Sequence, residues 1–463
     1  MTQEYERVID YGHGVSELII SDSVSAILNE IDSGTQVFDE QRSNPVPLPG
    51  KLQNQYRGYV PWGDDNQLPY KILKKIRKDE VMSQNKLFNT LTCYASGIKI
   101  SREDGEKITD SRIKDFFKYN RMPRYWLEQA TDMKHFFFTV TVVILSADGK
   151  KIKKIRHKEA SHIRFETCNP KTGAIEHLFY AGWDSAVVND DDIEVIPVLD
   201  MWDPIGDLEC RMGRIPNSKG RMQTPTMERK FAIVNTFPIA GCKYYPFAYY
   251  WSVFLSGWYD LKQMIPVGKK AKFKNHAGIR YQVEVHKDYW ENICREEKIT
   301  DLEKKAERVK KEKENIREFL TGVENSGKLW ITGYYIDPTG KEIRMVRISV
   351  IDTTKEGGDW NEDVEEASNM ICYADNIHPS LIGATPGKSN NSFSGSVQRE
   401  LFTMKQALEK PYHDILLEPL HVIKEYNQWE DFTYDVPVIT LTTLDKGKDA
   451  EENSLRKEGN NNV

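Results

Sequence analysis

Nothing in this 463-residue chain is long and apolar enough to cross a bilayer as a helix. The longest strongly apolar stretch without charge, Tyr244 to Tyr259, is bounded by Lys243 and Asp260 and falls short of the ~20 residues a spanning helix needs. The opening MTQEYERVIDYGHG is acidic and carries no apolar run of the kind a secretory leader has, so the chain is expected to stay in the cell that makes it. An excess of positive charge is also missing. The 64 Lys and Arg stand against 70 Asp and Glu, a net charge of -6, and no global basic field marks a tight nucleic-acid binder. The six cysteines, Cys93, Cys168, Cys210, Cys242, Cys294 and Cys372, are scattered and no two form a CxxC. Neither a zinc site nor a disulfide framework is expected, and six reduced thiols are. No metal and no cofactor is predicted.

What the chain does have is 39% hydrophobic and 29% charged residues, a balance that suits an extended, surface-rich subunit better than a disordered chain. Residues 1–58 are turn-rich and close near Asn44-Pro45-Val46-Pro47-Leu48-Pro49-Gly50, where repeated proline forbids regular helix. Leu68, Ile72, Leu73 and Ile76, then Leu87, Phe88 and Leu91, recur at helical spacing and predict two short amphipathic helices. A helix from Trp126 leads into a strand over 136–145, and Asp148-Gly149 turns it back through Ile152 and Ile155. A second hairpin turns at Asn169-Pro170-Lys171-Thr172-Gly173, whereas 203–228 reads as a long exposed loop. The module is mixed α+β.

Between Tyr244 and Tyr259 nine of sixteen residues are aromatic. They predict a helix from Pro246 to Ile265, buried nearly all round and interrupted by Pro266. Because so large an exposed patch would be unusual, Tyr249, Trp251, Phe254 and Trp258 are expected to pack between helices and to meet neighbouring subunits. A strand with one wet face follows over 279–285. Next comes a charged helix, opened by a Thr300/Glu303 capping box, with a heptad seam through Ile299, Leu302, Ala306, Val309, Ile316 and Leu320. A hairpin turns at Asp337-Pro338-Thr339-Gly340. The last third reads as an acidic helix over 360–376, a Gly/Ser loop over 377–396, a long helix over 397–426, a short strand near 436–441 and a polar tail.

Gly383-Ala384-Thr385-Pro386-Gly387-Lys388-Ser389 ends like a Walker A loop but has three residues between its glycines where that motif has four, and no buried strand precedes it. An ATP-binding enzyme is therefore one alternative. A coiled-coil structural protein built on the 299–320 seam is another. His157 and His162 lie five apart, a spacing that does not put both rings on one helical face for zinc. Asp190-Asp191-Asp192 lacks the spaced ligands of a calcium loop.

The order of elements resembles the portal family of tailed bacteriophages. Tyr59-Val60-Pro61-Trp62-Gly63-Asp64-Asp65-Asn66-Gln67-Leu68-Pro69 is similar to the start of the first wing helices, and Pro246 to Phe273 followed by Lys274-Asn275-His276-Ala277-Gly278 to the first stem helix passing into the clip. Phe319-Leu320-Thr321-Gly322 to Lys328 resembles the return from the clip. Ile377-His378-Pro379-Ser380-Leu381-Ile382-Gly383, the polar loop and Val397-Gln398-Arg399-Glu400-Leu401-Phe402 resemble the tunnel loop and the helix after it.

The resemblance implies an α+β fold: a portal-like elongated subunit with helical stem, β-containing clip and α/β wing, assembling into a ring. The implied layout is a 1–58 arm, 59–243 wing, 244–273 first stem helix, 274–355 clip, 356–376 second stem helix, 377–396 tunnel loop, 397–430 wing helix and a 431–463 crown or tail. It further implies a homo-oligomeric, dodecameric ring at one capsid vertex of the virion, assembled in the host bacterial cytoplasm and without enzymatic activity or a membrane role. Its implied partners are double-stranded DNA passing non-specifically through the channel, the terminase large subunit, head-completion or adaptor proteins, and major capsid and scaffolding proteins. Duplex DNA is a dense polyanion that a basic lining would hold, so the acids of the second stem helix, Glu362, Asp363, Glu365, Glu366 and Asp375, are expected to line the channel. Gly383, Pro386, Gly387, Lys388, Ser389, Asn390, Asn391 and Arg399 are expected at the constriction, with Lys388 and Arg399 as its few basic contacts.

Overall fold

The computed structural model describes residues 8–10, 16–18, 45–102, 108, 110–185, 188–217, 220–275, 281–321, 334–336, 340, 342–350, 360–383, 395–429 and 432–439. The chain divides into two compact units, Met1–Asp260 with Glu365–Val463, and Leu261–Val364.

The first unit opens with a small hairpin, β1 (Val8–Asp10) and β2 (Ser16–Leu18). Helices α1 (Leu68–Lys78) and α2 (Glu80–Tyr94) follow as the periodicity predicts. They are separated at Asp79, whose carboxylate accepts from the Met82 amide at 2.8 Å and caps α2. After β3 (Lys99–Ser101) come α3 (Ser111–Tyr119) and α4 (Met122–Phe136). Then β4 (Phe138–Leu145) pairs antiparallel with β5 (Ile152–Lys158) on one side and with β9 (Lys230–Thr236) on the other.

Strand β4 reads FTVTVVIL because both its faces are covered. Phe138, Val140 and Val142 join one core, and Val143 and Leu145 another. Its two threonines are buried but bonded, Thr141 with Tyr125 Oη at 2.6 Å and Thr139 to Gln129. The predicted hairpin turns at Gly149, where φ is +69°. The second sheet has the order β6 (Ile163–Phe165), β7 (His177–Tyr180), β8 (Glu194–Pro197). The expected exposed loop over 203–228 instead contains α5 (Pro204–Arg211). Asp203 caps it by accepting from the Gly206 amide at 2.8 Å, and Leu208 is buried. One buried leucine was too weak a periodic signal to read.

The aromatic run does not form one helix. It folds as a 3-10 turn (Tyr249–Trp251), a single turn of helix α6 (Ser252–Leu255) and a break at Gly257, where φ is +83°. Its rings are core of this unit. Tyr245 stacks on Trp62 with centroids 4.6 Å apart and donates to the Val60 carbonyl at 2.7 Å. Tyr250 donates to the His135 carbonyl at 2.8 Å and Tyr259 to that of Lys75 at 2.9 Å. Trp251 and Phe254 are thus buried inside their own subunit, which corrects their assignment to contacts between subunits. Tyr249 is exposed and Trp258 half-buried.

The second unit takes up α7 (Trp258–Asn275) partway along its length. Pro266 lies inside this helix rather than ending it. Gly268 faces Trp360 so closely that a Cβ there would lie 2.4 Å from the indole ring. β10 (Tyr281–Val285) pairs antiparallel with β13 (Val346–Val350), and β11 (Tyr334–Ile336) with β12 (Glu342–Arg344). Between them stand α8 (Lys287–Glu296) and α9 (Leu302–Thr321), joined by Arg308, which reaches Glu297 at 2.9 Å and Glu312 at 2.8 Å. Asp301, not Thr300, bonds the Glu303 amide, at 3.1 Å. Along the expected seam Ile316 is buried, whereas Leu302 and Ala306 are exposed.

Helix α10 (Trp360–Ala374) begins in the second unit, passes into the first at Glu365 and ends before a 3-10 turn at Pro379–Leu381. The expected single helix after the loop is two, α11 (Gly395–Ala407) and α12 (Lys410–Asn427), with Pro411 opening the second. β14 (Thr433–Asp435) pairs with β3, a few residues before the strand expected at 436–441.

Candidate functional site

The elements that the sequence marks for function converge on the turn after α10. This helix carries Glu362, Asp363 and Glu366 exposed and Glu365 half-buried, with no Lys or Arg between Trp360 and Asn376. The fifth acid departs from the expectation. Asp375 is buried, not surface-lining: its side chain is 3% exposed and its Oδ1 lies 2.6 Å from Lys86 Nζ of α2. It therefore belongs to an internal ion pair.

That pair is part of a larger buried network. Lys134 of α4 lies 2.6 Å from Glu409, between α11 and α12. Lys405 of α11 lies 3.7 Å from the same carboxylate and donates to the Asn376 carbonyl at 3.3 Å. Lys86 also donates to the Lys134 carbonyl at 3.3 Å and sits 2.9 Å from the centroid of Tyr250, while Lys134 sits 3.2 Å from that of Tyr412. Asn89 donates to the Asp375 carbonyl at 3.1 Å. Three lysines and two carboxylates thus share a buried site, and ring faces help to replace lost hydration. Burial pushes the Lys86 ammonium down to about 8 against the pull of Asp375, lowers Lys405 as well, and pushes the Cys93 thiol up to about 12.

The network clamps both ends of the polar segment. Asp375 and Asn376 stand before it and Lys405 and Glu409 after it, and Gln398 donates to the Ser380 carbonyl at 3.4 Å. His378 bonds Ser380 at 2.6 Å and closes the turn. Gly383 is exposed with φ +118°, and Arg399 is half-buried on α11. Pro386, Gly387, Lys388, Ser389, Asn390 and Asn391 lie outside the described residues. What precedes Gly383 is a helix and a 3-10 turn, not the strand that a phosphate-wrapping loop follows.

Sequence reasoning missed the network because Lys86, Lys134, Lys405 and Glu409 are far apart in the chain and each sits where a solvated charge would be ordinary. The histidine pair is structural. His157 bonds Asp132 at 3.0 Å and Gln129 at 3.0 Å, and His162 bonds the Ala181 carbonyl at 3.1 Å. Glu166, Glu176 and His177 do come together among the described residues. Arg57 already supplies a cation there, 3.2 Å from Glu166 and 2.8 Å from Glu176. Among the described residues no helix is long and apolar enough to cross a membrane.

No protein-family model matches the chain, and no curated protein matches it in sequence. Among solved structures it is similar to a chain from the neck of an empty gene transfer agent particle computed with C6 symmetry, at TM-score 0.49 and 11% identity over 79% of this chain and 83% of that one. It is similar to a chain from the neck of the native particle computed with C12 symmetry, at TM-score 0.49 and 11% identity over 82% and 85%. A chain from the virion of the native particle matches at TM-score 0.47 and 10% identity over 87% and 88%.

Proposed function

We propose that this chain is a portal subunit: a non-enzymatic component of a ring, at one vertex of a phage-like particle, through which duplex DNA enters and leaves. One observation carries the reading. A helix whose exposed charges, Glu362, Asp363 and Glu366, are all negative runs into a turn fixed by buried ion pairs, and the polar segment beyond it starts and ends on that clamped base. A conduit for a polyanion must not hold it, and carboxylates release no counterions from DNA. The order of motifs in the sequence points the same way.

In this reading α7 and α10 are the stem helices, the segment between them is the clip, residues 377–396 are the tunnel loop, and Lys388 with Arg399 on α11 are the basic contacts at the constriction. Terminase docks on the clip during packaging, and head-completion proteins replace it afterwards. The first test is negative-stain electron microscopy of the purified protein. End-on rings with a central hole are expected, whereas filaments or small dimers would favour the coiled-coil alternative. A nucleotide-protection melt separates the ATPase alternative, and no shift with ATP and magnesium is expected.

A further inference from the structure

We propose that the outer edge of the β4–β5 hairpin is a second DNA-binding surface, one that grips duplex DNA without regard to sequence, opposite in sign and role to the acidic helix. Within seven residues stand Lys150, Lys151, Lys153, Lys154 and Arg156, all exposed. This is five positive charges on a chain whose net charge is -6.

The bland explanation is that lysines protect an exposed sheet edge from pairing with another strand. Here that task is already done. Asn427 accepts from the Ile152 amide at 2.7 Å and donates to the Ile152 carbonyl at 3.0 Å. Asn120 accepts from the Ile155 amide at 3.0 Å and donates to the Lys153 carbonyl at 3.3 Å. Over Ile152–Ile155 the edge is thus held by side chains, so closing it there does not depend on the lysines.

The same bonds enlarge the patch. Stitching Asn120 to β5 sets its neighbours Lys118, Tyr119 and Arg121, all exposed, beside the strand. Three of the acids nearby are engaged. Asp110 is paired with Arg112 at 2.6 Å and Glu209 with Arg214 at 3.7 Å, while Asp148 accepts from Ser146 Oγ and the Lys150 amide.

The chemistry favours DNA over an acidic protein. Ile152 and Ile155 turn inward and are buried, so between 150 and 156 the surface offers only long, mobile cations. Protein interfaces are poor in lysine and centre on clustered apolar or aromatic side chains, whereas Tyr119 is a single exposed ring with the Lys118 ammonium 5.7 Å from its centroid. Lysine's compact charge suits phosphate contact rather than the forked reading of base edges.

The test is fluorescence anisotropy of a labelled random-sequence duplex with the full-length protein, titrated at salt from about 50 to 200 mM. The variant Lys151→Gln/Lys153→Gln/Lys154→Gln/Arg156→Gln changes only exposed side chains, and a thermal melt checks that it folds. Its binding should weaken at least tenfold, and the slope of log K against log salt should flatten by roughly 3 to 4. A matched variant on α9, Lys304→Gln/Lys305→Gln/Lys310→Gln/Lys311→Gln, should bind as the parent does. Parent binding too weak to measure at the lowest salt, full binding by the β5 variant, equal loss in both variants, or tighter binding of polyglutamate than of duplex would each overturn the proposal, the last in favour of an acidic protein partner. Electron microscopy keeps the two readings separable, since rings without this binding sink only the β5 surface, and binding without rings sinks only the portal reading.

Discussion

Lys86 and Asp375 are each 3% exposed in their side chains, 2.6 Å apart, and 289 residues distant in sequence. Such a pair adds little stability compared with apolar residues of the same size, yet removing one partner strands the other charge in the interior. Lys86→Met should therefore cost about 3–5 kcal/mol in urea unfolding, and the double variant Lys86→Met/Asp375→Leu should recover most of the loss. The pair also sets a pH trend. Burial puts the folded-state value of Lys86 at about 8 against an ordinary 10.5, so between these values the unfolded chain holds a proton that the folded chain has released. Stability rises with pH wherever the unfolded state binds more protons. From pH about 8 to about 10.5 the parent should gain stability relative to Lys86→Met; a flat difference between the two urea curves across that window would refute the assignment.

At the scale of elements, β5 shows how side chains finish what a strand leaves open. Asn120 and Asn427 bond the outward backbone groups of Ile152, Lys153 and Ile155, and both asparagines are buried. Losing either leaves buried backbone groups unpaired, so Asn120→Ala and Asn427→Ala should each cost about 1–3 kcal/mol, read as a lowered unfolding midpoint. Helix α7 carries a different lesson. Proline strongly disfavours a helix interior, yet Pro266 sits within Trp258–Asn275, while the real break comes at Gly257 with its φ of +83°. The spacing marked only Pro266 as an interruption, and the fold placed the break at Gly257 instead.

For the whole molecule, if the chain is the portal subunit proposed above, the acidic helix and the polar segment after it are the parts whose alteration should change DNA movement rather than folding. Glu362→Lys/Glu366→Lys reverses two exposed charges, so rings should assemble as before while packaging slows and its salt dependence steepens, measured by DNA filled per particle. Substituting Pro386 or Gly387 should likewise impair packaging more than assembly, and normal packaging by both variants would remove these residues from the constriction.

Periodicity and turn chemistry determined much of this protein on their own. The pair α1 and α2, the hairpin at Gly149, the strand at Tyr281–Val285 and the acidic helix α10 were legible because each rests on neighbours within a few residues. The order of those pieces carried the portal resemblance. Tertiary structure alone decided which charges meet water. Asp375 reads like Glu362 in the sequence, but α2 brings Lys86 to it and excludes solvent. Trp251 and Phe254 read as packing between helices and against neighbouring subunits, but Trp62 and the first sheet cover that run within the chain. The edge of β5 at Ile152 and Ile155 is held by Asn427 and Asn120, which no local spacing signals. The reason is common to all three: burial and long-range pairing depend on residues tens to hundreds of positions away, and sequence spacing holds no record of them.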